Sequence, residues 1–278
     1  MASVRDIPFD AARQVVDGVR ASSVARRSCV RIAIEVEKGA PTALVRAVKE
    51  AFVPQTATGL VHVAAFAAGT QVRVNPDCDL AIVLAGTTGA ATAAARAFAS
   101  AAVPCAIVVE TSVEVPVREQ PAGVEVVAAA DDAVLLDKLA AWMAGTCHAD
   151  VALGTNFPFA RRAIAERCAS ERSTKNAVIG LLPFGSSADL PVMAANEALM
   201  AIDIAGVYGQ GAGVARFAEV ACVVGAAFAS REAARRLSRS FPGLGAAVKA
   251  GIAYGATLAM GRALVLRFEM PNAWKHRN

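Results

Sequence analysis

Val30-Arg31-Ile32-Ala33-Ile34-Glu35-Val36-Glu37-Lys38-Gly39-Ala40-Pro41-Thr42 decides how this chain is built. Val30 to Val36 reads as a strand rich in β-branched residues. Gly39 and Pro41 punctuate a turn. Thr42 then stands near the start of a helix carrying Leu44, Val45, Val48 and Phe52. A strand that turns directly into an amphipathic helix is the repeating unit of a layered α/β domain.

The flanking sequence repeats the unit. Strands are predicted at Leu60–Phe66, Leu80–Leu84, Ala106–Val109 and Val124–Val127, with helices at Ala90–Ala102 and Ala133–Ala144. The last three strands are short continuous apolar runs, as expected of strands covered on both faces in a parallel sheet. Upstream, Phe9, Ala12, Val15, Val16 and Val19 recur at helical spacing. The expectation for residues 1–150 is a Rossmann-like α/β sheet domain with right-handed crossovers.

Composition agrees with two ordinary domains in 278 residues. Hydrophobic residues make up 55% but aromatics only 5%, so the core is built from small side chains that let helices approach closely. Low charge with high apolarity argues against disorder. The net charge of +4 hides an asymmetry: residues 1–150 carry −3 and residues 151–278 carry +7. A basic, glycine-rich half suits an anionic membrane surface or an acidic protein partner; a solvated basic face is the plainer alternative. No feature points to nucleic acid. The six cysteines form no CxxC, and most lie in apolar runs, as buried thiols do in a reducing compartment. Cys147-His148 has no second pair to complete a zinc site. Arg5, Asp6 and Asp10 interrupt the start where a signal peptide needs an apolar core, so the expected location is cytoplasmic, with the inner face of the plasma membrane as a candidate surface.

In order of elements the first half resembles the P-loop GTPase fold. Asn75 to Leu84 stands for its central strand, Val103 to Val109 for the strand leading into guanine recognition, and Val124 to Ala128 with Asp131 for the last strand and helix. The chemistry of that fold is missing. Phosphate binding needs glycine amides, a lysine for the β/γ charge and a Ser/Thr for Mg²⁺. Only Thr42 matches. Pro41 stands at the lysine position, and Glu35 and Glu37 bring negative charge to where polyphosphate belongs. Glu110-Thr111-Ser112-Val113 replaces the guanine motif, and the first half contains no Asp-x-x-Gly switch. The resemblance is therefore to a degenerate GTPase: no catalytic residue, no cofactor and no metal are expected. Ala85-Gly86-Thr87-Thr88-Gly89 closes a strand where doubly wound folds bind ligands, so Thr42, Gly86, Thr87 and Gly89 are candidate ligand positions. The same loop also reads as a helix-entry turn.

Composition changes after Gly145, and a second domain is expected over residues 151–278. It reads as helices at about 158–171, 174–182, 190–208, 213–238 and 245–268. Asp189 before Leu190-Pro191 is an N-cap. Asn196, Met200 and Asp203 share one face, and interhelical hydrogen bonding is their expected role. Gly251-x-x-x-Gly255 is the small-residue pattern of close helix contact. Arg231 and Arg235 lie on a basic helix suited to anionic headgroups. Leu244 to Leu266 is long enough to span a bilayer, but Lys249 and Arg262 interrupt it, and basic segments flank it on both sides.

This half is similar to the YcjF-like helical domain of unknown function. The matching residues are Asn156-Phe157-Pro158, Asn176-Ala177, Ala188 to Val192, Ile204 to Gly209, Glu219, Val223-Val224-Gly225, Arg231, Ala234-Arg235, Pro242 to Gly245, Ile252 to Gly255 and Thr257. The resemblance implies a membrane-associated or regulatory role with no attached reaction. The expected function is a non-catalytic pseudo-GTPase module acting through a protein or membrane partner. The alternative is a regulatory protein binding a small molecule or nucleotide.

Overall fold

The computed structural model describes residues 9–115, 120–181, 189–210 and 245–270. Its strands are β1 Val30–Glu37, β2 Gly59–Phe66, β3 Leu80–Leu84, β4 Cys105–Val109 and β5 Val124–Ala128. Its helices are α1 Phe9–Ala25, α2 Thr42–Ala51, α3 Ala91–Ser100, α4 Asp132–Thr146, α5 Asp150–Asn156, α6 Arg161–Leu181, α7 Asp189–Val207 and α8 Gly245–Glu269. The chain forms two compact units, Arg27–Ile164 and Met1–Arg26 with Ala165–Asn278.

The first unit is a Rossmann-like layered domain. Its sheet has the order β2-β1-β3-β4-β5, and every pair is parallel. The continuous apolar runs behave as expected: β3 and β4 are buried at every residue. Side chains alternate across the sheet. Ala33, Ala81, Val83, Cys105, Ile107 and Val109 meet Ala94, Ala95 and Phe98 of α3 on one face. Ile32, Ile34, Leu80, Ile82 and Leu84 point to the opposite face, where α2 and α4 neighbour one another and supply buried Leu44, Val48, Leu135 and Leu139. Each fully buried Ile, Leu or Phe contributes about 1.5–3 kcal/mol. Asp131 caps α4 by accepting from Val134 N–H at 2.9 Å.

Asn156, expected at the head of the second domain, belongs to this sheet unit. It is fully buried at the end of α5. Its Oδ1 accepts from Thr56 N–H at 3.1 Å and Thr56 Oγ1 at 2.8 Å, and its Nδ2 donates to Thr58 Oγ1 and to Ala152 O. The side chain thus pins α5 to the approach to β2. Phe157 follows, buried against Phe52 with ring centroids 5.5 Å apart.

The second unit, in its described part, contains α1, the remainder of α6, α7 and α8. The opening helix belongs here: α1 packs on α7, and Gly18 leaves room for Leu199. Two helices were expected at 158–171 and 174–182, but α6 runs unbroken to Leu181. The hydroxyls of Ser173 and Thr174 bond back to Ala169 O and Ser170 O at 2.6 and 3.0 Å, so both residues sit inside the helix rather than ending it. Among the described residues, Gly251 and Gly255 make no close helix contact. Both are exposed, and a Cβ at either would meet nothing within 4 Å. Gly261 makes one instead: a Cβ there would strike Ala169 and come within 3.3 Å of Met200 Sδ. Among the described residues, no helix is long and apolar enough to cross a membrane.

Candidate functional site

The sheet order creates a switch point between β1 and β3. In doubly wound folds the crevice beyond the carboxyl ends of two such strands is where ligands bind. Two loops meet there: Lys38 to Pro41 after β1, and Ala85 to Ala90 between β3 and α3.

A side chain of the protein fills the crevice. Glu37, the last residue of β1, is 1% exposed. Its Oε2 accepts from Gly86 N–H at 2.7 Å, and its Oε1 accepts from Ala90 N–H at 2.8 Å and from the Thr88 hydroxyl. These amides are the anion-binding donors that precede a helix N-terminus. Burial pushes the Glu37 carboxyl upward, but hydrogen bonds from the Thr88 hydroxyl and the amides of Gly86, Ala90 and Thr88 outweigh it, and the group is held below its ordinary value. It is an ionised, internally bound anion.

The two loops are closed on one another. Thr87 N–H donates across to Lys38 O at 3.3 Å, while within the first loop Ala40 N–H donates to Glu37 O at 3.0 Å. Gly86 makes this approach possible: a Cβ there would strike Lys38 O and lie 2.9 Å from Ala40 N. Gly39 has φ of +84°, and a Cβ on it would collide with Thr87.

The candidate residues from sequence therefore divide. Gly86 and Thr87 sit at the crevice but bond to Glu37 and Lys38. Gly89 has φ of +71° with open space around it. Thr42 is exposed on the first turn of α2. Lys38 is likewise exposed, next to an open depression of about 490 Å³ lined by Val36, Gly39, Ala65, Phe66 and Thr70. Glu35, grouped with Glu37 by sequence, is not at the crevice. It is 3% exposed within the sheet, where burial raises its carboxyl despite the nearby His62. The segment standing for the guanine motif is a self-satisfied turn: Glu114 Oε1 accepts from Thr111 N–H at 2.7 Å and Thr111 Oγ1 at 3.0 Å.

A second polar constellation lies in the helical unit. Arg172 donates to Asp203 Oδ2 at 2.6 Å and to Asn196 Oδ1 at 3.1 Å. Asn196 donates to Asn176 Oδ1 and to Arg172 O, both at 2.8 Å. Asn176 continues to Thr257 Oγ1 at 2.8 Å, and Thr257 donates to Glu197 Oε1 at 2.8 Å. Burial raises the Asp203 carboxyl more than Arg172 and Lys175 lower it. Asn196 and Asp203 thus bond between α6 and α7, and Asn176 and Thr257 extend the chain of bonds to α8. Arg172, Asn176 and Glu197 were not read from sequence as members. Their helical spacing carried no signal that they converge.

Among the described residues no three His, Cys, Asp or Glu side chains gather as a metal site would require. Cys105 and Cys147 are buried, and burial pushes their thiols up to about 12 and about 11. The Asp189 side chain, Arg231 and Arg235 fall outside the described residues. Comparison with protein-family models, curated proteins and solved structures finds no match.

Proposed function

We propose that this chain is a non-catalytic module, a pseudo-GTPase in its sheet unit, that works by association with a protein or an anionic membrane surface. The supporting observation is Glu37. A ligand phosphate would need the Gly86, Thr88 and Ala90 donors, and the carboxylate already holds them. Displacing an ionised, hydrogen-bonded side chain in favour of another anion gains little, because the new anion only replaces bonds already made. Pro41, at the lysine position of the resembled loop, has no backbone N–H to offer a phosphate.

The helical unit is the proposed association half. The basic residues after position 150 and the YcjF-like resemblance support that reading, and the cytoplasmic face of a membrane is its natural surface. Melting temperature with and without Mg-GTP or Mg-ATP tests the pseudoenzyme reading: no shift is expected, because a ligand bound only to the folded state raises it. A saturable rise would overturn it and favour the regulatory nucleotide-binding alternative, for which the depression beside Lys38 and Thr70 is the candidate site. Flotation with anionic liposomes tests the membrane version, which fails if the protein stays at the bottom of the gradient at low salt.

A further inference from the structure

We propose that β2 is a self-association edge, along which two copies of this chain pair antiparallel to join their sheets. The inference is independent of whether the crevice binds a nucleotide.

β2 is an outer strand, bonded to β1 alone. Val30 N–H donates to Thr58 O at 2.9 Å and Lys38 N–H to Phe66 O at 2.8 Å, so even-numbered residues of this stretch turn their backbone groups toward β1. The groups of Val61, Val63 and Ala65 consequently face outward. Among the described residues no group pairs with them. The side chains are open too: Leu60 is 46% and Val63 61% exposed, and His62 and Ala65 are exposed beside them.

Proteins blunt such edges with charge, proline, a bulge or a very short strand. Gly59–Phe66 is eight residues long, with no proline and no Lys, Arg, Asp or Glu. Its register with β1 is unbroken, without a bulge. A row of unpaired amides and carbonyls is matched by an extended backbone, which a helix or a lipid surface does not supply.

The strand is complementary to itself. A two-fold axis at Val63 sets Val63 against its copy, Val61 against Ala65 and His62 against Ala64. Each of the outward residues then exchanges both backbone bonds, about six in all. The facing pairs Val63–Val63 and Val61–Ala65 are small or β-branched, His62 meets only Ala64, and no Lys, Arg, Asp or Glu faces another. A charged partner strand would find no counter-charge within β2. A second copy finds a matching neutral strand and forms a closed isologous dimer.

Sedimentation equilibrium of the full chain across the micromolar range tests this. The mass is expected to rise from 28.5 kDa toward twice that value with concentration. Val63→Lys puts two ammonium groups opposite one another and should weaken association by about tenfold or more. Val113→Lys, at another exposed valine, should leave it unchanged. Residue-resolved hydrogen exchange of the unmodified protein gives a readout that needs no variant. Protection of the Val61, Val63 and Ala65 amides should grow with concentration, while the Leu60, His62 and Ala64 amides stay protected at every dilution. A mass fixed at the monomer, a dimer indifferent to Val63→Lys, or outward amides that exchange alike at all concentrations would overturn the proposal.

Discussion

Replacing Glu37 by alanine should destabilise the sheet unit far more than a surface substitution does. The change leaves Gly86 N–H, Ala90 N–H and the Thr88 hydroxyl without their acceptor. Each abandoned buried donor costs about 1–3 kcal/mol. Thr87 and Thr88 are exposed at the mouth of the crevice, so water reaches part of it and the low end applies. The expected loss is about 3–5 kcal/mol for Glu37→Ala. Glu37→Gln keeps one acceptor and loses the charge, for about 1.5–3 kcal/mol. Urea unfolding followed by circular dichroism measures both. The pH dependence supplies an independent check. The Glu37 carboxyl titrates lower folded than unfolded, so its stabilisation is present above the unfolded value and is lost as pH falls through the folded value. The gap between wild type and Glu37→Gln should therefore narrow below pH 4.5, the ordinary value. A loss under about 1 kcal/mol for Glu37→Ala, or a gap independent of pH, would refute the reasoning.

The other substitutions probe the same logic elsewhere. Glu35 has the opposite sign: its carboxyl is raised by burial, so its contribution is present below the unfolded value and is lost as pH rises through the folded one. Glu35→Gln should accordingly raise the urea midpoint at pH 7, with the advantage disappearing in acid. Gly86→Ala drives a methyl group into Lys38 O and Ala40 N and should cost about 1–3 kcal/mol by the same unfolding assay. Asn156→Ala orphans the Thr56 amide and empties a buried site, for about 2–4 kcal/mol in urea. In the helical unit, Arg172→Met should lower the melting temperature more than Asp203→Asn. The first leaves a half-buried carboxylate without its cation, whereas the second removes a group whose ionisation burial already opposes.

The layered sheet was legible because strands covered on both faces leave continuous apolar runs, as at Leu80–Leu84. Helix starts were legible where a side chain caps them, as at Asp131. Helix continuity through Ser173 and Thr174 was not, because hydroxyl residues favour both turns and back-bonding, and only the fold chooses between them. Gly261, which does pack tightly between helices, lies outside the spaced pair that drew notice at Gly251 and Gly255. Spacing identifies a small-residue stripe, but the neighbouring helices determine which glycine meets a backbone. The crevice was half legible. Sequence placed acids at the switch point and treated Glu35 and Glu37 alike. The sheet separates them: Glu37 ends its strand and reaches the α3 donors, while Glu35 is held in the interior two residues earlier. The network from Arg172 to Thr257 joins residues far apart in the chain, and no local pattern announces it.

Carbon-13 NMR titration of the Glu37 side-chain carboxyl in the full chain, with and without saturating Mg-GTP, bears most directly on whether an internal anion owns the switch point. We expect a midpoint below 4.5 that nucleotide leaves unmoved. A midpoint at or above that value, or a saturable change in the carboxyl resonance as GTP is added, would contradict the self-filled crevice.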